Sequence, residues 1–211
     1  MSAPLPPQFY DRDPALVARE LLGMMLVVRD ADGIELQSRI VETEAYLGPH
    51  DPACHAVVGR TRRTEHLHGP PGMAYVYRIY GVHWCLNAVT LPEGIGSAVL
   101  LRAVEPVGDL QPLHRRRPAA RRVRDLTNGP GKLCAAYGIT GAYDGSSLQS
   151  GPVRIVPADA VPDHDVAVSP RIGITRAADW PLRFLVAGNP YVSATPRAFA
   201  VTPYLTTSRL Q

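Results

Sequence analysis

Lysine is nearly missing from this chain: Lys132 is the only one in 211 residues. Schiff-base chemistry needs an amine, and only that side chain and the chain terminus could supply one. Cysteine is scarce too. Cys54, Cys85 and Cys134 are odd in number and never closely spaced, which excludes a disulfide framework, a four-cysteine zinc site and a four-cysteine iron–sulfur cluster, and a reducing cytoplasm is the expected location. There is no long apolar run: Leu21 to Val28, interrupted by Gly23, is far too short to cross a bilayer. The opening Met1–Pro7 lacks a charged start followed by an apolar core, so neither an export signal nor a membrane association is expected. Acidic and basic residues nearly cancel, to a net charge of +3.

What is present is a globular composition. Hydrophobic residues make up 45% of the chain, enough for a substantial core, and the length fits one domain over 1–211, with loose ends expected at 1–8 and 200–211. Asp13-Pro14 offers a cap and a first-turn proline for a helix from Ala15 to Leu22 that Gly23 can end, followed by a strand from Met24 to Val28. Asp32-Gly33 fits a turn into the next strand. With 21 prolines and 18 glycines the remainder is turn-rich, with short strands expected at Ser97–Ala103, Val153–Val156 and Arg183–Val186, and a surface loop at Asp159–Pro170. Strands and helices without regular βαβ alternation point to the α+β class. The basic residues are clustered: residues 114–124 carry six arginines, Arg115, Arg116, Arg117, Arg121, Arg122 and Arg124. Such a run either faces phosphates or forms a solvated surface.

Two segments carry chemistry. Arg39-Ile40-Val41-Glu42-Thr43-Glu44-Ala45-Tyr46 brings a β-forming run to two carboxylates and an aromatic ring. At strand period Glu42, Glu44 and Tyr46 share a face, so a buried Ile40–Val41 stretch implies a partly buried acid, which needs a partner; otherwise both acids face water or surface arginines. In Met73–Val89 two β-prone runs flank Gly81, which reads as a hairpin. Tyr77 and Tyr80 are an odd number of residues apart, so one ring can line a pocket while the other stands at the tip.

Together these segments resemble the alkyladenine, or methylpurine, DNA glycosylases. The resemblance continues through Leu100–Pro106, Gly129–Cys134 and Arg171–Ile174 with Trp180–Phe184, five motifs in order between Tyr10 and Ser193. It implies a single compact domain with a curved antiparallel sheet and a protruding β-hairpin that inserts into DNA. It also implies a monofunctional enzyme, acting as a monomer on double-stranded DNA, that flips out a damaged purine such as 3-methyladenine, 7-methylguanine, hypoxanthine or ethenoadenine. Water then hydrolyses the N-glycosidic bond, without metal or cofactor.

By that resemblance Glu44 is the general base and Arg102 its partner. Tyr46 stacks on one side of the purine and His55 with Tyr77 on the other, Asn87 crowds the 2-amino group of guanine, and Ile174 contributes through its backbone. Tyr80 is the wedge, with Val82 and His83 beside it where better-known relatives carry bulkier side chains. Lys132, Arg115, Arg116 and Arg121 are the expected phosphate contacts. Two other readings compete with this one. His55, His66 and His68 with a glutamate could hold a metal in a hydrolase, and a binding protein could keep the hairpin without the chemistry.

Overall fold

The computed structural model describes residues 2–205. Helix α1 (Pro7–Tyr10) leads into α2 (Pro14–Glu20), whose first turn is closed by Asp13: its carboxylate accepts from the N–H groups of Ala15 and Leu16 at 2.8 and 3.1 Å. At Gly23 φ is +90°, and an added Cβ would lie 2.4 Å from the carbonyl of Asp159, so only glycine fits this exit. Strand β1 (Met25–Arg29) then turns through Asp30–Gly33 into β2 (Glu35–Tyr46). Next come β3 (Ala74–Ile79), β4 (His83–Thr90) and β5 (Ser97–Val107), then α3 (Gln111–Arg116) and α4 (Pro130–Tyr137). The chain continues through β6 (Val153–Val156), β7 (Val166–Ser169), β8 (Arg183–Val186) and β9 (Thr202–Pro203).

Among the described residues these nine strands form one open sheet in the order β3-β4-β5-β2-β8-β7-β9, with β1 beside the first half of β2 and β6 beyond it. Every pairing is antiparallel, and the α+β class follows from the mixture. β2 is the central strand. One edge carries β5 along nearly its whole length; the other carries β1 as far as Arg39 and β8 from Glu42. At that seam the register with β5 shifts, and Val41 and Arg102 drop out of the ladder. Bulges of this kind re-aim side chains, and here Arg102 reaches both glutamates.

Thr43 points the other way, its hydroxyl donating to the carbonyl of Ala18 at 2.8 Å and fastening α2 to the sheet. The main core lies between α2, α4 and the sheet, built on Leu21, Leu22, Leu26, Ile40, Leu86, Leu101 and Tyr137. A second cluster of Cys54, Ala56, Leu67, Tyr75, Val89 and Ala98 packs against Tyr46, Met73 and Tyr77. That smaller cluster is the ground on which the site is built.

The structure departs from the sequence expectations in two places. Residues 159–170 are not simply a surface loop: Val166 and Ser169 are buried, and β7 pairs with β8. The acidic approach Asp163–Asp165 hides a four-residue strand that is too short to show alternation. The ends are also tied down. Leu5 is buried and donates its N–H to the carbonyl of Ile155 at 2.8 Å, while β9 pairs with β7 and Tyr204 packs on Phe184. Of the expected loose C-terminal stretch, residues 206–211 lie outside the described ones. No helix among the described residues is long and apolar enough to cross a membrane.

Candidate active site

A cavity of about 320 Å³ opens between the end of β2, the β3–β4 hairpin, the N-terminus of α4 and the 172–174 segment. Its aromatic wall follows from strand geometry. Tyr75 and Tyr77, two residues apart on β3, share a face and stack with centroids 5.3 Å apart. The His55 ring meets Tyr77 edge-on at 4.5 Å, and its Nδ1 lies 3.0 Å from the Tyr75 hydroxyl. Burial, with the Arg63 charge assisting, holds His55 below the usual histidine range, so it is neutral at pH 7. Tyr46 lines the cavity from β2. Burial, and next the Glu44 carboxylate, push its hydroxyl well above the usual tyrosine range, and burial does the same to Tyr77. Both remain proton donors.

Asn87 lies on β4 with its amide nitrogen donating to the carbonyls of Tyr75 and Cys85 at 2.9 and 3.5 Å. That fixes the orientation which sequence leaves open. Ile174 lines the cavity with Ile172 and Gly173.

Glu42 and Glu44 are both wholly buried, and their partners differ. Glu42 accepts from Arg102 Nε (3.0 Å), Arg183 Nε (2.6 Å), and the Ser193 N–H and hydroxyl (both 2.7 Å). Burial acts to raise its pKa, but the Arg102 and Arg183 charges and the Ser193 donors outweigh it and hold the carboxyl below the usual range. Glu44 accepts from the Ile172 N–H at 2.7 Å and the Tyr46 hydroxyl at 3.0 Å, and Arg102 Nη1 lies 3.2 Å from its Oε1. A carboxylate has roughly four acceptor positions. Glu42 takes three donors on Oε1 and one on Oε2; Glu44 takes Ile172 and Arg102 on Oε1 and the Tyr46 hydroxyl alone on Oε2. Tyr46, Arg102 and Ile172 line the cavity, and Glu44 sits one layer behind them.

At the end of the hairpin Tyr80 and Gly81 take consecutive positive φ values, +52° and +70°, and the Val82 N–H closes the turn on the Ile79 carbonyl at 3.2 Å. Tyr80 is 79% exposed and Val82 65%. Tyr80 and His83 also edge the cavity mouth, where His83 packs against Gly131.

The basic residues divide. Arg115 and Arg121 are exposed. Arg116 is not a free surface cation: it donates to Asp30, whose side chain is buried, at 2.6 Å, and to the carbonyl of Ala136. The corrected role of Arg116 is to bind α3 to the β1–β2 turn. Lys132 is exposed, and its ammonium donates to Asn128 at 2.7 Å. The three histidines of the metal reading are not brought together. His66 pairs with Asp144 and His68 with the Thr64 carbonyl, and no group of three or more potential ligands forms among the described residues.

Sequence reasoning passed over Tyr75, Asp51, Arg171, Arg183 and Ser193. Only Tyr75 had a local signal, its period-two spacing from Tyr77; the others meet the site across more than a hundred residues of chain or through a turn.

Residues 8–190 match the family model described as methylpurine-DNA glycosylase. The chain belongs to that family. Its members are DNA glycosylases, a class of hydrolase that acts in DNA repair. Among similar proteins, one from Salinibacter ruber bearing the name 3-methyladenine DNA glycosylase is 49% identical, covering 90% of this chain and 96% of its own. Relatives of the same name from Methanoculleus marisnigri (48% identical; 90% and 98% covered) and Myxococcus xanthus (47%; 91% and 94%) are similar to it over nearly their whole length.

Proposed function

We propose that the cavity takes one purine flipped out of damaged duplex DNA and that Glu44 activates the water that hydrolyses its N-glycosidic bond. One observation carries this: of two buried glutamates, Glu44 alone takes all its partners, the Tyr46 hydroxyl, the Ile172 N–H and the Arg102 guanidinium, from the lining of the aromatic cavity, whereas Glu42 is also held by Arg183 and Ser193, which do not line it. Water bound there loses a proton to Glu44 as its oxygen bonds to C1′ of the deoxyribose. The C1′–N9 electron pair leaves with the purine, and an abasic site remains. Positive charge grows on the sugar in the transition state, and an ionised Glu44 stabilises it. Lys132, the sole lysine, does not line the cavity, which supports water over an amine as nucleophile.

Tyr46 on one side and His55 with Tyr77 on the other offer electron-rich rings to the electron-poor face of an alkylated purine such as 3-methyladenine or 7-methylguanine. Hypoxanthine and ethenoadenine are neutral planar bases of similar size and belong to the same proposal. Tyr80 fills the gap left in the stack.

The test is release of free base from duplexes each carrying one of these lesions, with EDTA present. Glu44→Gln should abolish release while damaged duplex binds within about tenfold of wild type, because the change removes the base and keeps the shape. Undiminished release by Glu44→Gln would remove Glu44 from the mechanism, and binding without release by the wild type would favour a damage sensor.

A further inference from the structure

A second charged pair holds the cavity in shape without lining it. Asp51 and Arg171 are each wholly buried and meet at two points, Nη1 to Oδ2 at 2.5 Å and Nη2 to Oδ1 at 2.9 Å. Asp51 also accepts from the N–H groups of Leu47 and Ala53, at 3.1 and 3.0 Å, fixing the loop between Tyr46 and His55. Arg171 donates to the Ala45 carbonyl at 3.0 Å, and its guanidinium carbon lies 4.7 Å from the centre of the Tyr46 ring. The residue after Arg171 is Ile172, whose N–H binds Glu44. One ion pair therefore joins three walls: the end of β2, the loop leading to His55, and the 171–174 segment.

Stability alone does not account for it. A buried ion pair is commonly no better for the fold than two apolar side chains of similar volume, and Arg171 Nε finds no acceptor among the described residues. We propose that Asp51 and Arg171 are positioning residues for base excision. Through them the face of Tyr46, the His55 loop and the Ile172 N–H on Glu44 are set together before a purine arrives. This rests on the reading of the cavity as the purine site and Glu44 as the base.

Two variants separate position from stability. Asp51→Leu with Arg171→Met replaces both charges by apolar groups of similar volume. Arg171→Lys keeps the charge but cannot engage Asp51 at two points while also reaching Ala45. Both should melt close to wild type and bind undamaged duplex equally well. Under single-turnover conditions with a 7-methylguanine duplex, the limiting rate should fall about 100-fold in the double variant and about tenfold in Arg171→Lys. The enzyme concentration giving half the limiting rate should change far less. A wild-type limiting rate in either folded variant overturns the proposal; should the double variant not fold, Arg171→Lys decides it alone. An inactive wild type would instead defeat the reading of the cavity, so the two failures are distinguishable.

Discussion

At the scale of single residues, the decisive contrast is between two glutamates on one strand. The motif itself was legible, since an apolar strand halting at Glu42, Glu44 and Tyr46 announces a buried acid. How differently the two acids are held was not, because the difference lies in Arg183 and Ser193, more than a hundred residues away, and in the bulge that frees Arg102 from the ladder. From sequence, Glu42 is the acid to which the resemblance gives no catalytic role. Its burial between two guanidiniums gives it a role in the fold. Glu42→Gln leaves Arg102 and Arg183 sharing an uncharged partner, and breaking a buried pair costs about 3–5 kcal/mol. In a chain of this size that lowers the melting temperature by roughly 10 °C. A thermal melt checks this, and an unchanged midpoint would show that Glu42 does not act as an ionised hub.

Among the elements, the hairpin joining β3 and β4 was the clearest in the sequence, and α4 the least clear, although Pro130 at its first turn and Gly138 in the left-handed conformation at its end are the usual punctuation. The hairpin holds a tyrosine where φ is +52°, which L side chains other than asparagine and aspartate rarely adopt. Tyr80→Asn should therefore leave the protein as stable or more so, by up to about 1 kcal/mol, while weakening capture of a flipped base. Melting and ethenoadenine fluorescence would move in opposite senses; unchanged flipping would remove the tip from the mechanism. In the α3 region, Arg115→Gln and Arg121→Gln should flatten the dependence of log affinity on log salt by about 0.9 for each phosphate no longer neutralised. Arg116→Gln should leave that slope alone and lower the melting temperature, because its partner is Asp30. Equal slopes for all three proteins and the wild type would assign the whole segment to a solvated surface.

For the molecule as a whole, class and sheet were readable from strand and turn signals, whereas the buried charges were not, because pairing across the sheet leaves no local trace. Three acids, Glu42, Glu44 and Asp51, lie among three guanidiniums, Arg102, Arg171 and Arg183. Burial works against ionised Asp51, but Arg171 and the backbone donors prevail and depress its pKa, as similar partners do for Glu42. Groups with depressed folded values stabilise the protein above their unfolded values, near 4, and that stability is lost as pH falls through the folded ones. Denaturant titrations should thus show stability level down to about pH 5 and falling steeply below about pH 4. A smaller acid loss is expected in the Asp51→Leu, Arg171→Met protein; an identical loss would locate the acid sensitivity elsewhere. Finally, β2 has strands on both edges and α2 fastened across it at Thr43. Its amides should be among the slowest to exchange with deuterium, opening only when the whole molecule does, while those at the tip of β3 and β4 exchange early. Heat or mild denaturant should then disable capture of a lesion long before it disturbs the carboxylate that would cut it out.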